Sequence, residues 1–156
     1  MSFEYKMAKY QIMLVDDDYD EYIFIKEAIE ESNIACGIAY CNSGLEFLNY
    51  IASMENFNEE LIDYYLILLD LNMPGETGQE ILKKIKSIEN IRRIPVIVYT
   101  SSENVSDIAI CYNLGAASYI LKPIGWSEMM KTIAVITDYW LQIVKLPGME
   151  CMTGSD

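Results

Sequence analysis

Four short apolar runs in this chain each end on residues that can do chemistry. Gln11-Ile12-Met13-Leu14-Val15 runs into Asp16-Asp17-Asp18. Tyr65 to Leu69 ends at Asp70, after which Asn72-Met73-Pro74-Gly75 breaks the run. Pro95-Val96-Ile97-Val98-Tyr99 ends at Thr100-Ser101-Ser102, and Ser118-Tyr119-Ile120-Leu121 ends at Lys122-Pro123. Runs of this length and apolarity suit strands buried on both faces. In open α/β sheets, ligands bind outside the carboxyl ends of the strands. Parallel strands would therefore gather a carboxylate cluster, a hydroxyl cluster and one ammonium on a single edge. Adjacent carboxylates repel one another unless a cation neutralises them. Oxygen-only ligands with room for water suit a hard divalent cation, Mg²⁺ foremost. An acceptor carboxylate, a divalent cation, a hydroxyl donor and a fixed ammonium are the parts that hold a phosphoryl group and stabilise its equatorial oxygens during in-line transfer.

Each residue also has a plainer reading. Asp70 could cap the turn after its strand, one of the three aspartates could cap the following helix, Lys122 could be a solvated lysine, and Tyr119 an ordinary strand aromatic. Against these, three aspartates are more than a cap needs, and Pro123 fixes the turn beyond Lys122.

The elements that must position these residues alternate strand and helix five times, which predicts a parallel sheet covered on both faces. A first helix is expected over about Tyr19–Glu31, with Tyr22, Ile25, Ala28 and Ile29 on one stripe, and a second strand over about Ile34–Tyr40. Ser43-Gly44-Leu45-Glu46 and Thr77-Gly78-Gln79-Glu80 read as capping boxes opening the second and third helices. Between the second helix and the third strand, Asn56–Asp63 reads as an exposed acidic loop. The fourth helix is expected near Asn104–Leu114, with Val105, Ile108, Ala109 and Tyr112 at helical spacing and Gly115 as its stop. The last, about Trp126–Val144, carries Met129, Met130, Ile133, Ile136, Trp140 and Ile143 on its stripe, widened by Val135, Tyr139 and Leu141.

At 156 residues with 52% apolar content, the chain is one domain with a real core and is not disordered. The net charge of −13 disfavours nucleic acid, which needs basic patches. No apolar stretch approaches a membrane span, and Met1–Lys9 lacks the apolar core of a secretion signal, so a cytoplasmic location is expected. Cys36, Cys41, Cys111 and Cys151 show no CxxC spacing. The absence of histidine excludes His-based zinc sites, Ser-His and Cys-His triads and an internal phosphohistidine. A phosphoryl group arriving through histidine must come from another protein.

Val15-Asp16-Asp17, Leu69-Asp70-Leu71-Asn72-Met73-Pro74 with Gly78 beyond, Val98-Tyr99-Thr100-Ser101 and Tyr119-Ile120-Leu121-Lys122-Pro123 occur together, in order, across nearly the whole chain. In this the chain resembles the receiver domains of two-component response regulators. The resemblance implies a flavodoxin-like (βα)5 fold with a five-stranded, parallel, doubly wound sheet in the order 2-1-3-4-5. The receiver would span residues 9–146, between an N-terminal tail at 1–8 and a C-terminal tail at 147–156. It implies that Asp70 accepts a phosphoryl group from a histidine kinase. Asp17 would bind Mg²⁺ directly and Asp16 through water, with Asp70 and the backbone carbonyl of Asn72 completing the protein ligands. Thr100 would hydrogen-bond the phosphoryl group and Lys122 would pair with it. Ser101 stands where the family often has Ala and is small enough to keep access open. Tyr119 matches an aromatic switch position, and the Lys122–Pro123 peptide is expected to be cis.

Within the family, the chain looks most similar to single-domain regulators of phytochrome-type kinases. That likeness rests on the long segment before the third strand, on Asp70-Leu71-Asn72, and on Tyr139-Trp140-Leu141 followed by Leu146-Pro147. Only Lys145–Asp156 follow the last helix, so the expected output is binding, through a homodimer on the face of the fourth helix, fifth strand and fifth helix. Two other classes compete. A haloacid-dehalogenase-type phosphatase needs a second Asp two positions after its nucleophile, where this chain has Asn72, and a Thr soon after. A phosphorylation-independent adaptor would keep the fold without needing the site residues, all of which are present.

Overall fold

The computed structural model describes residues 10–55, 66–89 and 91–147. The acidic loop expected at Asn56–Asp63, the N-terminal tail and Cys151 lie outside them. Five strands, β1 (Tyr10–Val15), β2 (Cys36–Cys41), β3 (Leu66–Leu69), β4 (Val96–Thr100) and β5 (Ser118–Leu121), alternate with five helices, α1 (Tyr19–Glu31), α2 (Gly44–Glu55), α3 (Gly78–Ser87), α4 (Val105–Asn113) and α5 (Trp126–Asp138). All strand pairs are parallel and their order is β2-β1-β3-β4-β5, as the resemblance implied.

Alternation along each strand sends side chains to opposite faces, and each face has its own core. Met13, Val15, Ile67, Leu69, Val96 and Val98 pack beneath α2, α3 and Cys111 of α4. Ile12, Leu14, Leu66, Leu68, Ile97 and Tyr99 pack against α1 and α5. Burial on both faces explains why these strands read as continuous apolar runs rather than as alternation.

The helix starts follow their sequence signals. Asp18 is the N-cap of α1, its carboxylate accepting from the Asp20 amide at 2.9 Å. Thr77 and Glu80 form a reciprocal capping box on α3. Ser43 accepts from the Glu46 amide at 3.1 Å, but Glu46 reaches back to the Asn42 amide rather than to that of Ser43.

Two helices depart from the apolar stripes in their sequence. In α4 the fully buried side chain is Cys111, while Val105 is 80% exposed and Ala109 and Tyr112 face solvent. The stripe turned inward is Asp107, Ile108, Cys111 and Leu114. The helix is rotated by roughly 120° from the apolar stripe in its sequence, at about 100° per residue. It carries apolar residues on both sides, and on the side that faces in, Asp107 is hydrogen-bonded to Ser102 and Gln79. At the C-terminus, α5 passes into a π-helical turn over Tyr139–Ile143. The wider turn shifts the register, so Leu141 is buried and Ile143 is 67% exposed, the reverse of an unbroken α-helical stripe.

Candidate functional site

Backbone hydrogen bonds carry the strand ladders one step past their ends, and that step fixes the site residues. The Asp16 amide donates to the Cys41 carbonyl (3.1 Å), the Asp70 amide to the Val15 carbonyl (3.0 Å), and the Lys122 amide to the Thr100 carbonyl (2.8 Å). Asp16, Asp70 and Lys122 are therefore extensions of the sheet. Asp70 also has the start of α3 against its backbone. A Cβ on Gly78 would lie 2.4 Å from the Asp70 carbonyl oxygen and 2.6 Å from the Leu71 Cα, so only glycine permits this approach. The Gly78 amide closes it by donating to the Leu71 carbonyl.

The three adjacent aspartates divide their work. Asp18 caps α1. Asp17 is exposed at the mouth of the site, and Asp16 is fully buried, accepting from the Asp18 amide at 2.9 Å. Carboxylate oxygens of Asp16, Asp17 and Asp70 all lie within 4.8 Å of one another. Lys122 Nζ is 2.8 Å from Asp16 Oδ2 and 3.5 Å from Asp70 Oδ2. Burial raises the Asp16 pKa above its ordinary value, a push that the Lys122 and Asp18 hydrogen bonds reduce but do not cancel. For Lys122, burial alone would lower the pKa. The Asp16 hydrogen bond and the charges of Asp16, Asp70 and Glu21 outweigh it and hold the ammonium above the usual lysine range.

Among the described residues one lysine pairs with this group of three carboxylates, which leaves excess negative charge, and the donor set fits a hard divalent cation. Asp16, Asp17 and Asp70 could supply carboxylate oxygens. Asn72 is exposed, and its amide sits 3.4 Å from Asp70 Oδ1.

Thr100 is buried at the end of β4, and Ser101 beside it is exposed. Tyr119 is half-buried against the α3–α4 core, and its hydroxyl donates to the Ser102 carbonyl at 2.8 Å. Burial raises its pKa, with the Ser102 hydrogen bond opposing. The Lys122–Pro123 bond is not cis: every peptide bond among the described residues is trans. The Lys122 amide bond to Thr100 and the reach of a long side chain bring the ammonium onto the aspartates with a trans peptide.

Three participants escaped the sequence reading. Gln79 and Asp107 meet through a 3.1 Å hydrogen bond, and Asp107 accepts from the Ser102 hydroxyl at 2.7 Å. Both read as ordinary first-turn helix residues, and a contact across 28 residues has no local signal. Glu21 lies on α1 with one buried carboxylate oxygen lacking a hydrogen bond, and burial raises its pKa. Its place one turn beyond the aspartates was the available hint.

A doubly wound parallel sheet with a carboxylate triad, a threonine and a lysine at its carboxyl edge defines the receiver class of signalling domain. The chain belongs to the response regulator receiver domain family, whose model matches residues 12–134. It is 32% identical to the response regulator Rcp1 of Synechocystis sp. over 137 residues, covering 88% of this chain and 92% of that protein. It is also 32% identical to the probable methanogenesis regulatory protein FilR2 of Methanothrix harundinacea, covering 88% and 87%. The crystal structure of the phosphorylated cyanobacterial phytochrome response regulator RcpA superposes with a TM-score of 0.82 at 33% identity, covering 90% of this chain and all of that one. The likeness to Rcp1 extends to its Mn²⁺-bound crystal structure (TM-score 0.77, 31% identity, 89% and 99% covered). No helix among the described residues is long and apolar enough to cross a membrane.

Proposed function

We propose that the chain is a single-domain response regulator whose Asp70 accepts a phosphoryl group from the phosphohistidine of a kinase, and that the acyl phosphate signals by changing what the domain binds. The observation that carries this reading is the convergence of carboxylate oxygens of Asp16, Asp17 and Asp70 within 4.8 Å, with Lys122 paired to Asp16 and Asp70. A carboxylate oxygen of Asp70 attacks phosphorus in line. The P–N bond breaks as the O–P bond forms, and its electron pair leaves with the imidazole nitrogen, which takes a proton from solvent. Lys122 exchanges its contact with Asp70 for the transferred oxygens. The Thr100 hydroxyl turns toward the phosphoryl group, and small Ser101 leaves the approach open. Asp16, Asp17, Asp70 and the Asn72 carbonyl would hold Mg²⁺, which when bound neutralises the carboxylates and the transferring oxygens.

Likeness to the phytochrome response regulator RcpA supports a phytochrome-type kinase as donor. The exposed apolar residues Ile110, Tyr112, Leu121, Val135, Tyr139 and Ile143 support a homodimer on the α4–β5–α5 face. Phosphorylation would bias that dimer by its differential affinity for two conformations.

The test is phosphotransfer from a phosphorylated histidine kinase in Mg²⁺, read by intact mass. Wild type gains one phosphoryl group, and Asp70→Asn gains none. An equal gain in Asp70→Asn would overturn the assignment. Comparing phytochrome-type with other kinases as donors tests the finer proposal.

A further inference from the structure

Ser102 is a junction. Its amide faces Thr100 Oγ1 at 3.4 Å, and its carbonyl accepts from Tyr119 at 2.8 Å. Its hydroxyl accepts from the Asn104 amide at 3.4 Å and donates to Asp107 Oδ2 at 2.7 Å. Every polar atom of this residue is committed, and two of its partners are residues proposed to respond to the phosphoryl group. The hydroxyl's anchor, Asp107, is itself anchored, because Gln79 Nε2 donates to its second carboxylate oxygen at 3.1 Å. Gln79 follows Gly78, the glycine wedged against the Asp70 backbone. A continuous chain of hydrogen bonds thus runs from the start of α3, beside Asp70, across the first turn of α4 to Ser102, Thr100 and Tyr119.

The second observation is the rotation of α4. Val105, Ile108, Ala109 and Tyr112 form the apolar stripe that burial alone would select. The helix instead turns Asp107 and Cys111 inward and leaves Val105 80% exposed. An acidic residue on the inward stripe of a helix with an alternative apolar stripe is a local conflict, and the two hydrogen bonds to Asp107 resolve it.

We propose that Asp107 is a positioning residue. From outside the phosphoryl site, it fixes both the rotation of α4 and the β4–α4 loop, and thereby holds Thr100 and Tyr119 in register with Asp70. For its effect on rate, this inference rests on the phosphoacceptor reading above.

The experiment uses the full chain labelled with 3-fluorotyrosine, with the Tyr119 resonance assigned through Tyr119→Phe. Removing the bridge in Asp107→Ala frees Ser102, so the Tyr119 fluorine signal shifts or broadens in the unphosphorylated protein. Phosphoryl uptake from acetyl phosphate in Mg²⁺ slows by roughly ten-fold, the scale of a small misplacement of reacting groups. Asp107→Asn keeps an acceptor for Ser102, and a flipped Gln79 amide can still meet it, so both readouts return toward wild type. Ala109→Gly weakens α4 on its exposed side without touching the bridge; it lowers the melting temperature while the Tyr119 signal and the uptake rate stay unchanged.

An unmoved Tyr119 signal in Asp107→Ala overturns the inference whatever the chemistry does. A moved signal with wild-type uptake overturns the coupling to the site. Ala109→Gly matching Asp107→Ala in both readouts reduces Asp107 to a helix-stability residue and also overturns it. Failure of wild type itself to take up phosphoryl would overturn the phosphoacceptor reading instead, and the Tyr119 measurement would stand on its own.

Discussion

The central strand β3 and the edge strand β5 are both four residues long and both deliver a site residue, yet they are built differently. Leu66–Leu69 are buried without exception, whereas Ser118, Tyr119 and Ile120 are half-buried and Leu121 is exposed. β3 has strands on both sides and β5 on one. The helices beside them differ as well. α3 presents Ile81, Leu82 and Ile85 fully buried, while α4 presents Cys111 alone. The proposed acceptor therefore stands on the most constrained part of the sheet, and Lys122 and Tyr119 stand on the part with fewest packing constraints. Reaction geometry needs a carboxylate that does not move. A signal needs an element with two accessible arrangements. Under the proposed function, buried β3 would serve the first need and half-buried β5 the second, at the carboxyl edge of one sheet.

This contrast can be broken by core truncation. Leu68→Ala on β3 should cost about 2–5 kcal/mol, the range for deleting a fully buried leucine side chain. Ile120→Ala on β5 should cost about 1–2 kcal/mol, because half the area is already in water. Urea unfolding of both variants measures the difference, and equal costs would dissolve the distinction. Gly78→Ala probes the rigid side from the backbone. Its Cβ meets the Asp70 carbonyl and the Leu71 Cα, neither of which is a flexible side chain. A loss of about 1–3 kcal/mol is expected for such overpacking. Its phosphoryl uptake should fall even at temperatures where the variant remains folded, because the displaced group is Asp70 itself.

A third test concerns the charge stored at the rigid edge. If Asp16, Asp17 and Asp70 hold Mg²⁺ in the native state and not in the unfolded chain, the cation stabilises by mass action, about 1.4 kcal/mol at a ten-fold excess over its Kd. Thermal unfolding with and without Mg²⁺ reads this as a rise in Tm. Asp17→Asn should remove most of the rise, since Asp17 is the exposed carboxylate of the group and has no cation partner among the described residues. An undiminished rise in that variant would place the cation elsewhere.

The deeply buried strands were the most legible. Buried parallel strands announce themselves as apolar runs, and their ends mark the ligand edge, so Asp16, Asp17, Asp70 and Thr100 could be placed together from sequence, and Lys122 joined them from the half-buried β5 because its own apolar run ends at the same edge. Capping chemistry is also local, which is why Thr77–Glu80 and the start of α1 were readable. What failed depended on non-local competition. The rotation of α4 is set by Asp107 meeting Ser102 and Gln79 against its own apolar stripe, and periodicity sees only the stripe. The π-helical turn at Tyr139–Ile143 adds a residue to one turn, exchanging Leu141 for Ile143 in the core, and no local residue preference encodes it. The expected cis bond before Pro123 came from resemblance alone, and here the lysine reaches its partners with a trans peptide.

The smallest expected effect on folding belongs to the outer face of the yielding half. Val135 and Tyr139 are 67% and 50% exposed, one turn apart on α5 and the turn that continues it, with Ile143 one turn further. A stripe already in water gains nothing from folding the monomer, so Val135→Glu should change monomer stability by less than about 0.5 kcal/mol, as for surface substitutions generally. The same change would place two charges in the centre of a two-fold interface, because symmetry presents each substitution twice. Removing charges from water without partners opposes association far more strongly than it affects folding. Sedimentation across concentration separates the two cases. If the α4–β5–α5 face is where copies of the chain meet, wild type shows a monomer–dimer equilibrium and Val135→Glu is monomeric with unchanged phosphoryl uptake. Wild type that stays monomeric at high concentration, both before and after phosphorylation, would assign this face to a different partner. The same result in Val135→Glu as in wild type dimers would move the interface elsewhere on the surface. Either way the edge carrying Asp70 is untouched by the substitution, so the variant isolates output from acceptance.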